Sequence, residues 1–230
     1  RDLFVEVTSG PFTVDHNILT ADYALDNHAQ GGAYVNNLIR GEMIHRKMLD
    51  RSTPYHEPQS TNIKGMAPVY GGDDRWYNNI FVGDEGLDQV GTAHYEGYTT
   101  SLEEYMSKIH DNTGADHSAF NAVEQPVYAS KNAYFNGAKA FDREETNLVT
   151  DFNPEFELIE EGDEVYVEIT LPDDFEEMKG DVHSTSTLGR VRLTDVEFEK
   201  PHGGELVLNT DLLGEEKSGE TVLGPLANLK

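Results

Sequence analysis

Apolar residues in the first half of the chain come in short runs, each announced by a polar residue, usually Asn. Asp15-His16-Asn17-Ile18-Leu19 is followed by Val35-Asn36-Asn37-Leu38-Ile39, Tyr77-Asn78-Asn79-Ile80-Phe81 and, more loosely, Ser130-Lys131-Asn132-Ala133-Tyr134-Phe135. A glycine follows at Gly41, Gly83 and Gly137. Measured from Asn17 through Asn37 and Asn79 to Asn132, the intervals are 20, 42 and 53 residues. One step near 20 and one near twice that fit successive coils of a parallel β-helix whose later coils carry longer insertions. An inward Asn at the same point of each coil can stack into a hydrogen-bonded ladder, with the apolar pair beyond it filling the core. Asn-Asn pairs are also turn residues in unrelated hairpins, a plainer reading that predicts antiparallel strands.

Two stretches between these runs, Glu42 to Gly72 and Gly83 to Gln125, are too long and polar for simple turns. Long loops on a rigid scaffold are where binding and chemistry usually sit. Within the second, Ser101-Leu102-Glu103-Glu104 has the form of a capping box, Leu102, Tyr105, Met106 and Ile109 follow helical spacing, and Gly114 is placed to close the helix. From Phe152 the pattern changes. Glu164 to Leu171 alternates, predicting a strand with Val165, Val167, Ile169 and Leu171 on one buried face. Gly189 to Phe198 and Glu205 to Leu212 read as further strands parted by Pro201-His202-Gly203-Gly204, and Pro172 to Gly180 as a short helix with Phe175 and Met178 inward. The expected architecture is all-β: a parallel β-helix with long loop insertions over residues 1–150 and a smaller β-rich region over 151–230, the boundary falling between Asn147 and Pro154.

Charge narrows the partners. The 230 residues include 43 Asp and Glu against 17 Lys and Arg, a net charge of −26 with neutral histidine. That field repels phosphate backbones and anionic membrane surfaces, so neither a nucleic acid nor a membrane is expected as partner. With 37% apolar and 10% aromatic residues the chain can still build a packed core. Zero cysteines rule out disulfides, thiolate metal sites and cysteine nucleophiles. No run approaches the ~18 apolar residues of a spanning helix. The chain opens at Arg1 directly in strand-like sequence, as a cut or processed piece of a longer protein would, which leaves the compartment open.

The densest polar constellation is Gly71-Gly72-Asp73-Asp74-Arg75-Trp76-Tyr77-Asn78-Asn79. Two glycines allow a tight turn and close approach to a ligand. Of the two carboxylates only one can face a site if the segment is extended; Arg75 can keep a carboxylate ionised, and Trp76 offers a flat surface of the kind sugar rings stack on. An acidic turn with a structural ion pair would look the same. Farther on, Glu96 lies between tyrosines in His94-Tyr95-Glu96-Gly97-Tyr98. Aromatic surroundings desolvate a carboxyl group and raise its pKa, which suits a general acid, although a surface glutamate is the commoner case. Ser52-Thr53-Pro54-Tyr55-His56-Glu57-Pro58 reads as a stiffened polar loop that could wall a ligand. The nine histidines form no HxH or HxxxH pair, and no P-loop, GxGxxG or GxSxG elbow is present. No cofactor is therefore expected; oxygen ligands suffice for a structural calcium at an acidic turn, without an EF-hand pattern.

Taken together, Phe12-Thr13-Val14-Asp15-His16-Asn17-Ile18, Gln30-Gly31-Gly32-Ala33-Tyr34, Arg51-Ser52-Thr53-Pro54-Tyr55-His56, Gly71-Gly72-Asp73-Asp74-Arg75 and Tyr77-Asn78-Asn79-Ile80-Phe81 resemble β-xylosidases of glycoside hydrolase family 120. The resemblance runs over roughly the whole chain, as the C-terminal part of a longer member. It implies a right-handed parallel β-helix associated with a β-sandwich, and retaining hydrolysis of β-xylosides or xylo-oligosaccharides by an Asp nucleophile and a Glu acid/base. The family's Asp-to-Glu interval is matched by Asp73 and Glu96, with Asp74 as alternate nucleophile; Tyr55, His56, Glu57, Arg75, Trp76 and Tyr95 become candidate sugar contacts. The partners implied are a small oligosaccharide and the N-terminal portion of the same protein, without which the fragment is expected to be inactive; a homo-oligomer is compatible with the sequence. A non-catalytic carbohydrate-binding or adhesive β-helix is the alternative. A polysaccharide lyase, which usually handles anionic uronates, fits so acidic a chain poorly.

Overall fold

The computed structural model describes residues 1–112 and 116–228. Most of its regular structure is β, and the parallel strands form three sheets that the chain visits in turn. The first holds Leu3–Glu6, Tyr23–His28 and Glu42–His45. Phe12–Asp15, Gly32–Val35, Asp74–Tyr77 and Val127–Ser130 make the second. The third is Ile18–Leu19, Leu38–Arg40, Ile80–Val82, Asn132–Phe135 and Asn147–Thr150. Within each sheet the strands lie side by side in chain order. Ile18, Leu38, Ile80 and Ala133 stand in one row, so the strands after the Asn phrases are parallel, as the spacing predicts, and not hairpins.

At the corner between the second and third sheets the Asn side chains form a column. Asn37 Oδ1 accepts from the main-chain N and Nδ2 of Asn17 at 3.0 and 3.1 Å. Asn79 Oδ1 receives the same pair from Asn37, and Asn132 Oδ1 from Asn79, all at 2.9 Å. The second Nδ2 hydrogen of Asn37, Asn79 and Asn132 goes to a main-chain carbonyl, of Val14, Tyr34 and Trp76 respectively. Asn37, Asn79 and Asn132 are thereby satisfied in a buried place, where an unpaired amide would be costly. The last acceptor is Glu144, whose Oε1 takes the Asn132 donors at 3.1 and 2.9 Å while Oε2 takes the Tyr134 hydroxyl at 2.7 Å. Burial pushes the Glu144 carboxyl up to about 7. The residues preceding the rungs, His16, Asn36, Asn78 and Lys131, sit at φ of 54°, 57°, 57° and 58°, the left-handed conformation that turns the chain from one sheet into the next.

Inside the three sheets, register partners stack as rings: Tyr34 on Trp76 at 4.0 Å and 4°, Phe81 on Tyr134 at 4.9 Å and 14°. The opposite faces of the second and third sheets are covered by the chain beyond Thr150. Ala33 and Val35 meet Leu188, Phe198 and Leu208, while Leu38, Ile80, Val82 and Phe135 meet Phe175 and Leu223. Burial on both faces explains why these strands read as continuous apolar runs instead of alternating ones.

The insertions depart from expectation. Met48–His56 and Ile63–Val69 pair as a long antiparallel hairpin where the sequence predicts a polar loop. Most of its first strand is exposed, so no burial alternation marks it in the sequence. The helix Leu102–Asp111 is present with Ser101 Oγ accepting from Glu104 N, but the Glu104 carboxylate reaches Thr100 N instead of closing back on Ser101. Only Tyr105 of its stripe is fully buried, with Leu102 and Met106 exposed; Gly114 lies outside the described residues. In the tail, Glu157–Glu161 pairs antiparallel with Glu164–Glu168. Val167, Ile169 and Leu171 turn toward the Phe175 cluster, whereas Val165 projects past its edge into solvent. Pro172 to Gly180 contains a 3₁₀ turn, Asp173–Glu177, with Phe175 buried. Gly189 to Phe198 is not one strand but two short ones, Arg190–Val191 and Val196–Glu197, folded on each other; Glu205 to Leu212 makes only isolated bridges.

Candidate active site

Asp73 precedes the second-sheet strand Asp74–Tyr77 in a left-handed conformation, φ 54°, its N–H bonded to Pro126 O. It is 2% exposed. Oδ1 accepts from Arg75 Nη1 at 2.9 Å and Oδ2 from the main-chain N of Arg192 at 2.6 Å. The Arg75 fork continues to Leu188 O at 3.0 Å and Arg190 O at 2.8 Å, and its guanidinium lies over the rings of Tyr128 and Phe198. Burial raises the Asp73 pKa, with Arg75 the strongest opposing influence. From the other direction Arg192 Nε bonds Gln125 Oε1 at 2.6 Å, and Gln125 Nε2 bonds Gln30 Oε1 and Gly71 O.

Asp74, the first residue of the strand, turns to a different set of partners. It is fully buried, with Oδ1 accepting from Gly32 N at 2.9 Å and Oδ2 from the Tyr95 hydroxyl at 2.7 Å. Burial pushes its carboxyl up to about 7. Trp76 Nε1 donates to the same Tyr95 oxygen at 3.3 Å.

Glu96 follows the 3₁₀ turn Ala93–Tyr95 and is exposed. The chain reverses after Tyr95 through Glu96, φ −50° and ψ 130°, and Gly97, φ 86°, with Tyr98 N bonded to Tyr95 O; Tyr95 and Tyr98 both enter the core, ring centroids 5.2 Å apart and edge to face, and Glu96 stays outside them. The tyrosines therefore do not enclose it, contrary to the expectation from sequence. Beside them His45 and His94 stack at 5.8 Å; burial lowers their pKa to about 3 and about 4, so both imidazoles are neutral near pH 7. The two glycines serve this packing. Gly71 and Gly72 have φ of +74° and +80°, and a Cβ on them would lie 2.2 Å from His45 Nε2 and 2.9 Å from Tyr98.

The expected site residues thus fall into four places, Glu96 standing by itself on its exposed turn. Asp73 and Arg75 share one ion pair; Tyr95 and Trp76 belong with Asp74; Tyr55, His56 and Glu57 on the hairpin line, with Glu199 and Lys200, a cavity of about 310 Å³ that neither Asp73 nor Glu96 lines. Arg75, Trp76 and Tyr95 are enclosed by protein, so their neighbours are the groups just named and not solvent. A larger cleft, about 1420 Å³, lies against the third sheet between Leu38, Val82, Phe156 and Ile169, away from both carboxylates. Among the described residues no cluster of three or more His, Asp or Glu is arranged to hold a metal ion. Sequence reasoning missed Arg192, which bonds Asp73 from 119 residues away, and Gln125 and Gln30, which follow it in the same chain of hydrogen bonds. Only Gln30, in the phrase before Gly31-Gly32, carried any signal.

Parallel sheets, one of them carrying two adjacent buried carboxylates, define a β-rich protein. No protein-family model matches the chain, and no curated protein matches it. Among solved structures it is similar to XylC, described as "the complex structure of XylC with xylose", with a TM-score of 0.95 and 59% identity over 99% of this chain and 36% of that one. The chain spans about a third of that protein's length.

Proposed function

We propose that the chain is part of a retaining glycoside hydrolase that releases xylose from β-xylosides or xylo-oligosaccharides, its three sheets being successive coils of a right-handed parallel β-helix with a β-rich region over 151–230. The observation that carries this reading is the 59% identity over nearly the whole chain to XylC, whose structure holds xylose. Asp73 is the proposed nucleophile and Glu96 the acid/base. Attack on the anomeric carbon needs Asp73 ionised; Arg75 and the Arg192 N–H favour that form against the burial that opposes it. Exposure leaves Glu96 accessible to a leaving-group oxygen. Retention requires the two carboxyl groups to work about 5–5.5 Å apart across the sugar.

The test uses the full-length protein and a chromogenic β-xyloside. Asp73→Ala should lower turnover by at least about 10³-fold, since no glycosyl-enzyme can form. Glu96→Ala should hurt substrates with poor leaving groups most, and azide should restore turnover of an activated one. Both variants turning over like wild type would refute the assignment and favour Asp74 or a non-catalytic sugar-binding role, which a bound xylose in the relative fits equally well.

A further inference from the structure

The two segments that carry the proposed nucleophile and acid/base come from different parts of the chain, yet each places its neighbouring residue in one buried hydrogen bond. Asp74 follows Asp73, Tyr95 precedes Glu96, and the Tyr95 hydroxyl donates to Asp74 Oδ2 at 2.7 Å with both residues fully buried. We infer that the Asp74–Tyr95 hydrogen bond is a positioning tie that fixes where Glu96 stands relative to Asp73. This rests on the catalytic reading above.

The geometry makes the tie stiff at both ends. Asp74 cannot swing, because its other oxygen accepts from Gly32 N at 2.9 Å on the adjacent strand, and Arg75 beyond it pairs in register with Ala33. Tyr95 cannot swing either. Its ring lies 5.2 Å from Tyr98, 5.1 Å from His45 and 4.2 Å from His94, and its oxygen also accepts from Trp76 Nε1. The turn beneath it is anchored separately: Ala93 N bonds Lys139 O, and the Thr92 hydroxyl meets Tyr134 OH at 2.7 Å and Phe141 N at 2.9 Å. Each proposed catalytic Cα is one peptide, about 3.8 Å, from an end of the tie. A loosening there passes directly to the spacing of the carboxyl groups, and an ångström of misplacement is enough to cost roughly 10²-fold in rate.

The full-length protein carrying Tyr95→Phe, Asp74→Ala or both tests this with kcat and KM on a chromogenic β-xyloside, beside the melting temperature. Tyr95→Phe keeps the ring and deletes only the hydroxyl. The expected result is a kcat at least about tenfold down with KM within about twofold of wild type, and a double variant no worse than the poorer single one, because the two side chains act as a unit. A folded Tyr95→Phe with wild-type kcat, or losses that multiply in the double variant, would overturn the tie. If Tyr95→Phe does not fold, Asp74→Ala decides: it leaves the Tyr95 hydroxyl no side-chain partner at that place, so wild-type kcat there overturns the proposal too. Asp73→Ala in the same series separates the failures. Wild-type turnover by that variant removes the catalytic reading itself; loss of turnover there beside an unaffected Tyr95→Phe removes only the tie.

Discussion

Glu144 shows how one residue can carry a pH dependence for the whole frame. It is 9% exposed, receives three donors and no cation, and its carboxyl is pushed up to about 7 by burial. In the unfolded chain the same group titrates near ~4.3. Between those values the folded chain keeps a proton that the unfolded chain has lost, so stability falls as pH rises through that window and levels out above it. Glu144→Gln keeps an oxygen for Asn132 and removes the titration, and it should flatten the fall by up to about 3 kcal/mol. Urea midpoints at pH 4.5 and 7.5 check this: parallel losses in wild type and variant would show that the pH dependence originates elsewhere, with Asp74 next in line. Little of this was legible in the sequence, where Glu144 is one acid among 43. Nor could the sequence tell that Trp76 stacks inside the sheets on Tyr34, since ring pairing depends on register across 42 residues.

At the scale of the element, the Asn phrases were the most readable feature, because the column demands the same side chain at the same corner and the apolar pair after it has one place to go. Asn37 and Asn79 are buried and bonded on both sides, while Asn17 is only partly buried. Asn79→Ala would strand the two Asn37 donors and take the Nδ2 donor from Asn132 Oδ1 and Tyr34 O, at a cost of at least about 3 kcal/mol, against about 1 kcal/mol for Asn17→Ala. Equal losses in urea unfolding would mean that the column contributes only as isolated turns. The hairpin at 48–69 and the split strands near residue 190 escaped notice for the opposite reason: exposed or two-residue pairings leave no burial period to read.

For the whole molecule, a charge of −26 makes self-repulsion a strong destabilising force, and the tail that covers the sheets is itself rich in Glu and Asp. Added salt should therefore raise the melting temperature between low and about molar concentration by screening. A melting temperature indifferent to salt would show that the acids are balanced locally, as Glu104 is by Arg143 and Lys108. The tail's cover over the second and third sheets was not foreseeable, because nothing in an alternating strand says which surface it will meet. The side-chain column has one more consequence. Its rungs are separated by 20, 42 and 53 residues yet bond alike, at 2.9 to 3.1 Å. Alignment is thus enforced locally at each corner, and the chain between corners is free to lengthen. A genetic insertion between two rungs is then tolerated without shifting the frame, so the segments bearing Tyr55 and Glu96 can diversify in length and composition while the scaffold beneath them is inherited unchanged.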